Sequence, residues 1–280
     1  MKRQKSFEKE QSSLYLVPTP IGNLSEMTKR GLEILEKVDC IACEDTRNTG
    51  KLLQAYNIHK PLVSHHEHNT KESVPKIINA LKEGKNVAVV SDAGYPLLSD
   101  PGSWLVKECV DQDIPVISLS GCNAALNALV ASGLSTEHYL FYGFLDHKSS
   151  KRKKELESLA SFPYTIIFYE APHRIEACLQ DILEVFSNRK MCLARELTKL
   201  HEEYIRGNVE EILSICSTLK GEMVLVIEGN SKKEEVDLNL AISRIEECIE
   251  SGMKTKEAIV FVSKEMNMKK NELYDLYHKK

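Results

Sequence analysis

The sequence predicts an α/β protein made of two α/β units and a small helical tail. Three observations predict it. From Leu14 onward, short apolar runs alternate with amphipathic stretches. Several runs, "NVAVVS" among them, are apolar on both faces, the pattern of strands covered on each side in a mainly parallel sheet. From Leu238 there is no strand-like run, only three helical stretches. At 280 residues, 42% hydrophobic and 28% charged, the chain is long enough for two domains or more.

The elements follow in order. "SSLYLVPTPIGN" reads as a strand, Leu14 to Val17, ending in a Pro/Gly loop. Ser25 is the expected cap of the next helix, with Leu32, Leu35 and Val38 on one face. "CIAC" and "PLVS" are the second and third strands. "ESVPKIINALKEG" is an amphipathic helix closed by Gly84. "NVAVVS" is the fourth strand, followed by the loop "SDAGYPLLSDPG" and a helix around Trp104 to Val110. "IPVISL" is the fifth strand, and "AALNALVASG" a helix ended by Gly133.

After Gly133 the alternation restarts. "YLFYGFL" is a strand, followed by a basic linker and a helix from Lys154 to Leu159. "YTIIFYE" is a strand and "RIEACLQDILEVF" a helix. "MCLARELTKLHEEYIRG" reads as a strand with a hairpin-like return, "EEILSICSTL" as a helix and "GEMVLVIEG" as a final strand. The expected organisation is a disordered extension (1–13), α/β domains over 14–134 and 135–230, and a helix-turn-helix-like segment (236–280) with breaks at Ser251-Gly252 and Asn267.

Composition narrows the function. A net charge of −4 gives no global nucleic-acid signature, so any such contact is local. No apolar run has the length of a membrane span. The start, "MKRQKSFEKEQSS", has no apolar signal-peptide core. The eight Cys include one CxxC, Cys40 and Cys43, and read as buried thiols in a reducing cytoplasm.

In an open α/β sheet, ligands bind at the carboxyl ends of strands. Four loops stand there: "PTPIGN", "EDTRNTG", "SDAGYPLLSDPG" and "LSGCNAA". Neither GxGxxG nor GxxxxGK[ST] occurs, so the usual phosphate cradles are excluded. Ala93, Gly94, Gly121 and Ala124 permit close backbone approach, and Asp92 suits ribose hydroxyls or a cation. Two readings stand: a site for a nucleoside-like ligand without phosphates, with Pro96 and Pro101 stiffening the turn back into the next helix, or ordinary tight turns.

Six segments in register carry a resemblance: "LYLVPTPIGNLSEMTKRGLEIL", "CEDTRNTGKLL", "SHHEHN", "SDAGYPLLSDPG", "FYEAPHR" and "ARELTKLHEEYIRG". Together they resemble the ribosomal RNA small subunit methyltransferase I family, of the tetrapyrrole methylase superfamily, from about Leu14 to Gly229. The resemblance implies two α/β domains with S-adenosylmethionine in the cleft between them. It also implies a homodimer, and methyl transfer to the ribose 2′-hydroxyl of a decoding-centre cytidine in 16S rRNA, as free RNA or in the small ribosomal subunit. The cofactor contacts it implies are Pro20, Gly22, Asp92, Ala93, Tyr95, Cys122, Asn123 and Ala124, with Tyr169 and Glu222 from the second domain. The chain departs from the family pattern at Tyr95-Pro96, where Thr-Pro is usual. It departs again at Ser120-Gly121-Cys122-Asn123-Ala124, where the usual loop carries two prolines and is more rigid.

A 2′-hydroxyl is a weak nucleophile and must be aligned with the sulfonium methyl while its proton leaves. Glu170, His173 and Arg174, just after a strand end, are the first candidates; the alternative is an ion pair between Glu170 and Arg174 that sets the loop. Lys199 either lowers the hydroxyl pKa or touches phosphate. Arg47 is a phosphate or dimer contact or, equally, a group of the chemistry itself. Lys151, Arg152, Lys153 and Lys154, in "HKSSKRKKE", are candidate RNA-phosphate ligands or a solvated helix start. "SHHEHN" lacks a second ligand set with metal spacing, so no structural metal is expected. The tail, with seven Lys against four acids from Lys254 onward, suits ribosome docking or simple packing. Two other readings compete: a methylase acting on a corrinoid or porphyrin, and a catalytically silent RNA-binding relative.

Overall fold

The computed structural model describes residues 2–6, 11–99, 102–230, 238–266, 268 and 270–278. Pro101 and Asn267 lie outside the described residues. Residues 1–229 form one compact unit and 230–280 another.

The first sheet holds β1 (Leu14–Leu16), β2 (Cys40–Cys43), β3 (Leu62–Ser64), β4 (Val87–Val90) and β5 (Val116–Ser118). All pairings are parallel, in the order β3-β2-β4-β1-β5, with Tyr15 level with Ala88 and Ile117. Alternate side chains of each strand feed opposite cores. On one face Ile41, Cys43, Ala88 and Val90 meet Leu35 of α1 (Lys29–Lys37) and Leu53 of α2 (Thr46–Ala55). On the other, Leu14, Ala42, Val87 and Val89 meet Val74, Ile77 and Leu81 of α3 (Thr70–Lys82) and Leu105 and Cys109 of α4 (Ser103–Asp111). Burial on both faces explains why these strands read as unbroken apolar runs.

The next helix, α5 (Ala124–Ser132), does not cover this sheet. Its Ala125, Ala128 and Leu129 pack on Ile167, Cys192, Ala194, Val224 and Val226 of the second sheet, so the fifth βα step knits the two halves. That sheet holds β6 (Tyr139–Phe144), β7 (Thr165–Glu170), β8 (Lys190–Arg195), β9 (Glu203–Asn208) and β10 (Met223–Ile227), ordered β6-β7-β10-β8-β9. Only β6 and β7 pair in parallel. Its other face is covered by α6 (Ser149–Leu159), α7 (Ile175–Phe186) and α8 (Val209–Leu213), through Leu156, Leu179, Ile182 and Ile212.

The second unit holds α9 (Leu238–Glu250), α10 (Thr255–Glu265) and α11 (Lys270–His278) around Ala241, Ile245, Ile259, Val262 and Leu273. Among the described residues no helix is long and apolar enough to cross a membrane.

Four expectations change. Ser25 lies in a 3-10 turn (Leu24–Glu26), and Thr28 caps α1 instead, its Oγ1 accepting from the Gly31 N–H at 3.0 Å. "EDTRNTG" is mostly helix: Asp45 caps α2 by accepting from the Arg47 N–H at 2.8 Å. The basic run is the N-cap and first two turns of α6 rather than a linker. The stretch 1–13, expected to be disordered, is tied to β5 and the end of α4 at its described residues. Gln4 exchanges two hydrogen bonds with Val116 (2.9 and 3.0 Å), and Lys2 pairs with Asp113 at 3.3 Å. Those bonds cover an edge strand that would otherwise present unpaired backbone.

Candidate active site

Three loops at the carboxyl end of the first sheet are bonded to one another. After β1, Thr19 exchanges two backbone hydrogen bonds with Gly94, each 2.9 Å, and its hydroxyl donates to the Ser91 carbonyl at 3.0 Å. Gly94 sits at φ +77°, a conformation that disfavours an L side chain. Tyr95 has a structural use: its hydroxyl accepts from the Gly121 N–H at 3.1 Å and braces the loop after β5. Asn123 then caps α5, its Oδ1 accepting from the Leu126 N–H at 2.9 Å. The loop after β5 is thus held by a phenol on one side and a helix cap on the other.

The opposite wall comes from the second sheet. The ends of β7 and β10 present Tyr169, Glu170, Met223 and Val224. Tyr169 is set edge-on against Phe141 and Phe144, with centroids 5.0 and 5.5 Å apart. Between the walls lies a cavity of about 340 Å³. Its apolar lining includes Ile21, Leu98, Phe144, Tyr169, Leu197 and Met223, and its polar lining Asp92, Asn123, Glu170 and Glu222.

Glu170 is the most buried charge of the cavity, its side chain 0% exposed. One carboxylate oxygen, Oε1, accepts from the Ala171 N–H at 2.8 Å and lies 3.1 Å from Arg174 Nε. The other, Oε2, is buried without a partner. Arg174 also donates from Nη2 to the Leu145 carbonyl at 2.7 Å, which fixes the guanidinium. Below them, burial and then Glu170 push the Cys178 thiol well up, so it stays neutral.

Lys199 ties two carboxylates of the second wall to each other, and its alkyl chain packs on the first. Its Nζ lies 3.0 Å from Glu196 Oε1 and 2.9 Å from Glu222 Oε2. Its alkyl chain lies on Gly22, where an added Cβ would sit 2.4 Å from Lys199 Cγ. Burial pulls the ammonium pKa down, but Glu222 and Glu196 outweigh it and the net shift is upward. Lys199 therefore stays protonated and serves as a clamp, and its own pair holds the Glu196 carboxyl below its ordinary range.

Of the residues expected at the cofactor, Asp92, Ala93, Tyr95, Asn123, Ala124, Tyr169 and Glu222 line the cavity. Pro20 is buried behind it, Gly22 lies under Lys199, and the Cys122 thiol turns to the Glu26 carbonyl at 3.4 Å. Of the four residues expected to be catalytic, Glu170 alone lines the cavity; His173 is exposed, Arg174 positions Glu170, and Lys199 is engaged by carboxylates. Arg152 is not at the surface. Its side chain is 3% exposed and pairs with the equally buried Asp181 at 2.6 Å, so it is a core ion pair and not a phosphate ligand. Lys153 is drawn to Glu184 at 2.6 Å and Asp181 at 3.7 Å, and Lys151 lies 3.7 Å from Asp146. Lys154 is exposed. Arg47 is 84% exposed and bound to Asp45 at 2.9 Å, which lowers the Asp45 pKa to about 2.

His65 is buried, its Nδ1 2.8 Å from Ser73 Oγ, and burial followed by the neighbouring His66 lowers its pKa. Among the described residues no group of three His, Cys, Asp or Glu is placed to hold a metal.

Sequence reasoning missed Leu98, Ser99, Phe144 and Leu197. Leu97, Ser99, Glu196 and Thr198 adopt positive φ (74°, 66°, 49° and 69°) without being glycine, so no composition signal marked these bends.

Comparisons agree with this geometry. Residues 13–213 match the family described as Tetrapyrrole (Corrin/Porphyrin) Methylases. A Ribosomal RNA small subunit methyltransferase I of Bacillus subtilis is 47% identical over 99% of both chains. One of Escherichia coli O157:H7 is 42% identical over 98% of this chain and 97% of its own. Among solved structures, a diphthine synthase has a TM-score of 0.63 at 13% identity, covering 78% of this chain and 90% of that one. A Thermus thermophilus uroporphyrin-III C-methyltransferase complexed with S-adenosylhomocysteine has a TM-score of 0.56 at 15% identity, covering 78% and 97%. The order of the strands, the cavity between the two sheets and the near full-length likeness all lead to one placement: the chain belongs to the tetrapyrrole methylase family and, within it, to the ribosomal RNA small subunit methyltransferase I family.

Proposed function

We propose that the protein transfers a methyl group from S-adenosylmethionine to the ribose 2′-hydroxyl of the decoding-centre cytidine of 16S rRNA, cytidine 1402 in the usual numbering. The observation that carries the reading is the 42–47% identity, over almost the whole length, to small-subunit rRNA methyltransferases. The cavity supports it. A volume of about 340 Å³ with a largely apolar lining suits a nucleoside-sized ligand. A small-residue backbone edge at Ala93-Gly94 and the carboxylates of Asp92 and Glu222 in its lining suit one that is cationic and lacks phosphates.

S-Adenosylmethionine, when bound, supplies an electrophilic sulfonium methyl. This chain's residues hold and orient. Ala93 and Gly94 offer backbone from one wall, and Asp92 and Asn123 offer side-chain acceptors. Glu170, held by Arg174 and the Ala171 N–H, fixes the end of β7 beside the cavity. Tyr169, Leu197 and Met223 exclude water. Arg174 and Lys199 keep the second wall in place. Alignment of hydroxyl and methyl supplies the larger part of the rate.

The substrate is the small subunit or its 16S rRNA, met by the protein as a cytoplasmic homodimer. Lys154 and Lys151 are the members of the basic run left to meet phosphate. The silent-relative reading rested on the altered loop after β5, and the bonds from Tyr95 and Asn123 show that loop held in place. Deleting the gene and mapping 2′-O-methylation tests the proposal. The decoding-centre cytidine is expected to lose its methyl group and to regain it when purified protein and cofactor are added to those subunits. A cytidine still methylated in the deletion strain, with no transfer in vitro, rejects it.

A further inference from the structure

A second cavity, of about 290 Å³, opens beside the first. Its floor is Ser91 and the buried Thr49, one side is Leu24, and the other is the α2 face bearing Asn48, Leu52 and Ala55. The spacing of 48, 52 and 55 is that of one helix face. The two cavities share one residue, Asp92. Asn48 Nδ2 donates to Asp92 Oδ2 at 2.9 Å, and among the described residues neither side chain has another side-chain hydrogen bond. An amide nitrogen carries two N–H groups and a carboxylate has two oxygens. The pair therefore presents a free acceptor, Asp92 Oδ1, beside a free donor, the second N–H of Asn48. Lys51 stands on the rim.

We infer that this groove seats the base of the methyl-accepting nucleotide and that the Asn48–Asp92 pair reads its Watson–Crick edge. The inference rests on the function proposed above. Single-stranded RNA is read by splaying bases into pockets and bonding those edges. Cytosine offers an amino donor next to a ring-nitrogen acceptor, the complement of this pair. Uracil offers an acceptor next to an N–H and meets like with like at both places. Leu24 and Leu52 give the ring apolar walls, and Lys51 is placed for the adjoining phosphate. A base held here keeps its ribose at the Asp92 boundary, next to the cavity assigned to the cofactor.

The test compares wild type, Asn48→Ala and Leu52→Trp. Each is given S-adenosylmethionine and small subunits from a methylation-deficient strain, carrying either cytidine or uridine at the target position; cofactor affinity is measured separately by calorimetry. Wild type is expected to prefer the cytidine substrate. Asn48→Ala lowers that preference about tenfold, the worth of one lost edge contact. Leu52→Trp fills the groove and lowers kcat/KM for the subunit about a hundredfold, the cost of a misplaced reactant. Leu52→Trp keeps cofactor affinity within about threefold of wild type, because its side chain does not line the first cavity; Asn48→Ala frees one oxygen of Asp92, which does line it, so its base preference is compared at saturating cofactor. If Leu52→Trp loses cofactor binding, the Asn48→Ala preference decides alone. Wild-type transfer with an unchanged cytidine preference in Asn48→Ala overturns this assignment and leaves the proposed function standing. Wild-type protein that methylates neither subunit overturns both.

Discussion

The two halves of residues 1–229 build their walls by different means. The first half holds its wall with backbone and neutral groups: the Thr19–Gly94 bridge, the Tyr95 hydroxyl on Gly121 and the Asn123 cap. The second half is held with charge: Arg152 on Asp181 joins the helices behind its sheet, while Arg174 on Glu170 and Lys199 on Glu196 and Glu222 hold the strand ends beside the cavity. The difference follows from topology. Parallel strands end in loops that must fold on themselves, so backbone partners are close at hand. The mixed second sheet presents strand ends and helix faces to one another, and long side chains span the gaps. Damage to the first half should therefore reach ligand binding before stability, and damage to the second should reach stability first.

The largest effect is expected at the most buried pair. Arg152→Ala leaves Asp181 buried without its partner and should cost about 3–5 kcal/mol of stability. Binding of subunits by the remaining folded protein should be unchanged. Denaturant unfolding measures the first, and a loss below about 1 kcal/mol would contradict a core role. Arg174→Ala should cost about 3 kcal/mol, since Glu170 is fully buried while Arg174 is only partly so. Equal melting temperatures for wild type and variant would contradict a stabilising Arg174–Glu170 pair.

Gly94→Val probes the first half. Holding an L residue at φ +77° costs about 2 kcal/mol, close to thirtyfold in cofactor affinity if expressed there. Calorimetry with S-adenosylmethionine reads it; undiminished affinity would mean that this backbone edge does not face the cofactor.

The smallest effect is the Lys199 strap. Its pair holds Glu196 below the ordinary 4.5, so folding releases a proton from this group in mild acid. The contribution is complete above the unfolded value and is lost as pH falls through the lowered folded value. It should amount to about 1 kcal/mol or less, because both groups are partly solvated. Stability of Lys199→Met should therefore differ from wild type near neutral pH and converge with it in acid; a difference that grows in acid would reverse the sign and remove the strap.

The same contrast explains what could be read beforehand. The strands of the first sheet were legible because both faces are buried, and the loops after them because Pro, Gly and Asp mark turns. The helix α2 was not, because "EDTRNTG" has the composition of a loop until Asp45 is seen capping it. The bends at Leu97 and Glu196 were hidden, since ordinary residues adopt glycine-like φ there. Lysine and arginine in "SKRKK" look alike in sequence, yet the helix turns Arg152 into the core and leaves Lys154 in solvent. Only tertiary contacts separate the two.

On the proposed function, the cofactor lies between a backbone-built wall and a charge-built one. A crystal structure of the protein with S-adenosylhomocysteine tests it most directly. The ligand is expected in the cavity bounded by Gly94, Asn123, Tyr169 and Glu222, touching backbone on one side and side chains on the other. Ligand density anywhere else on the chain, with this cavity left to solvent, would contradict it.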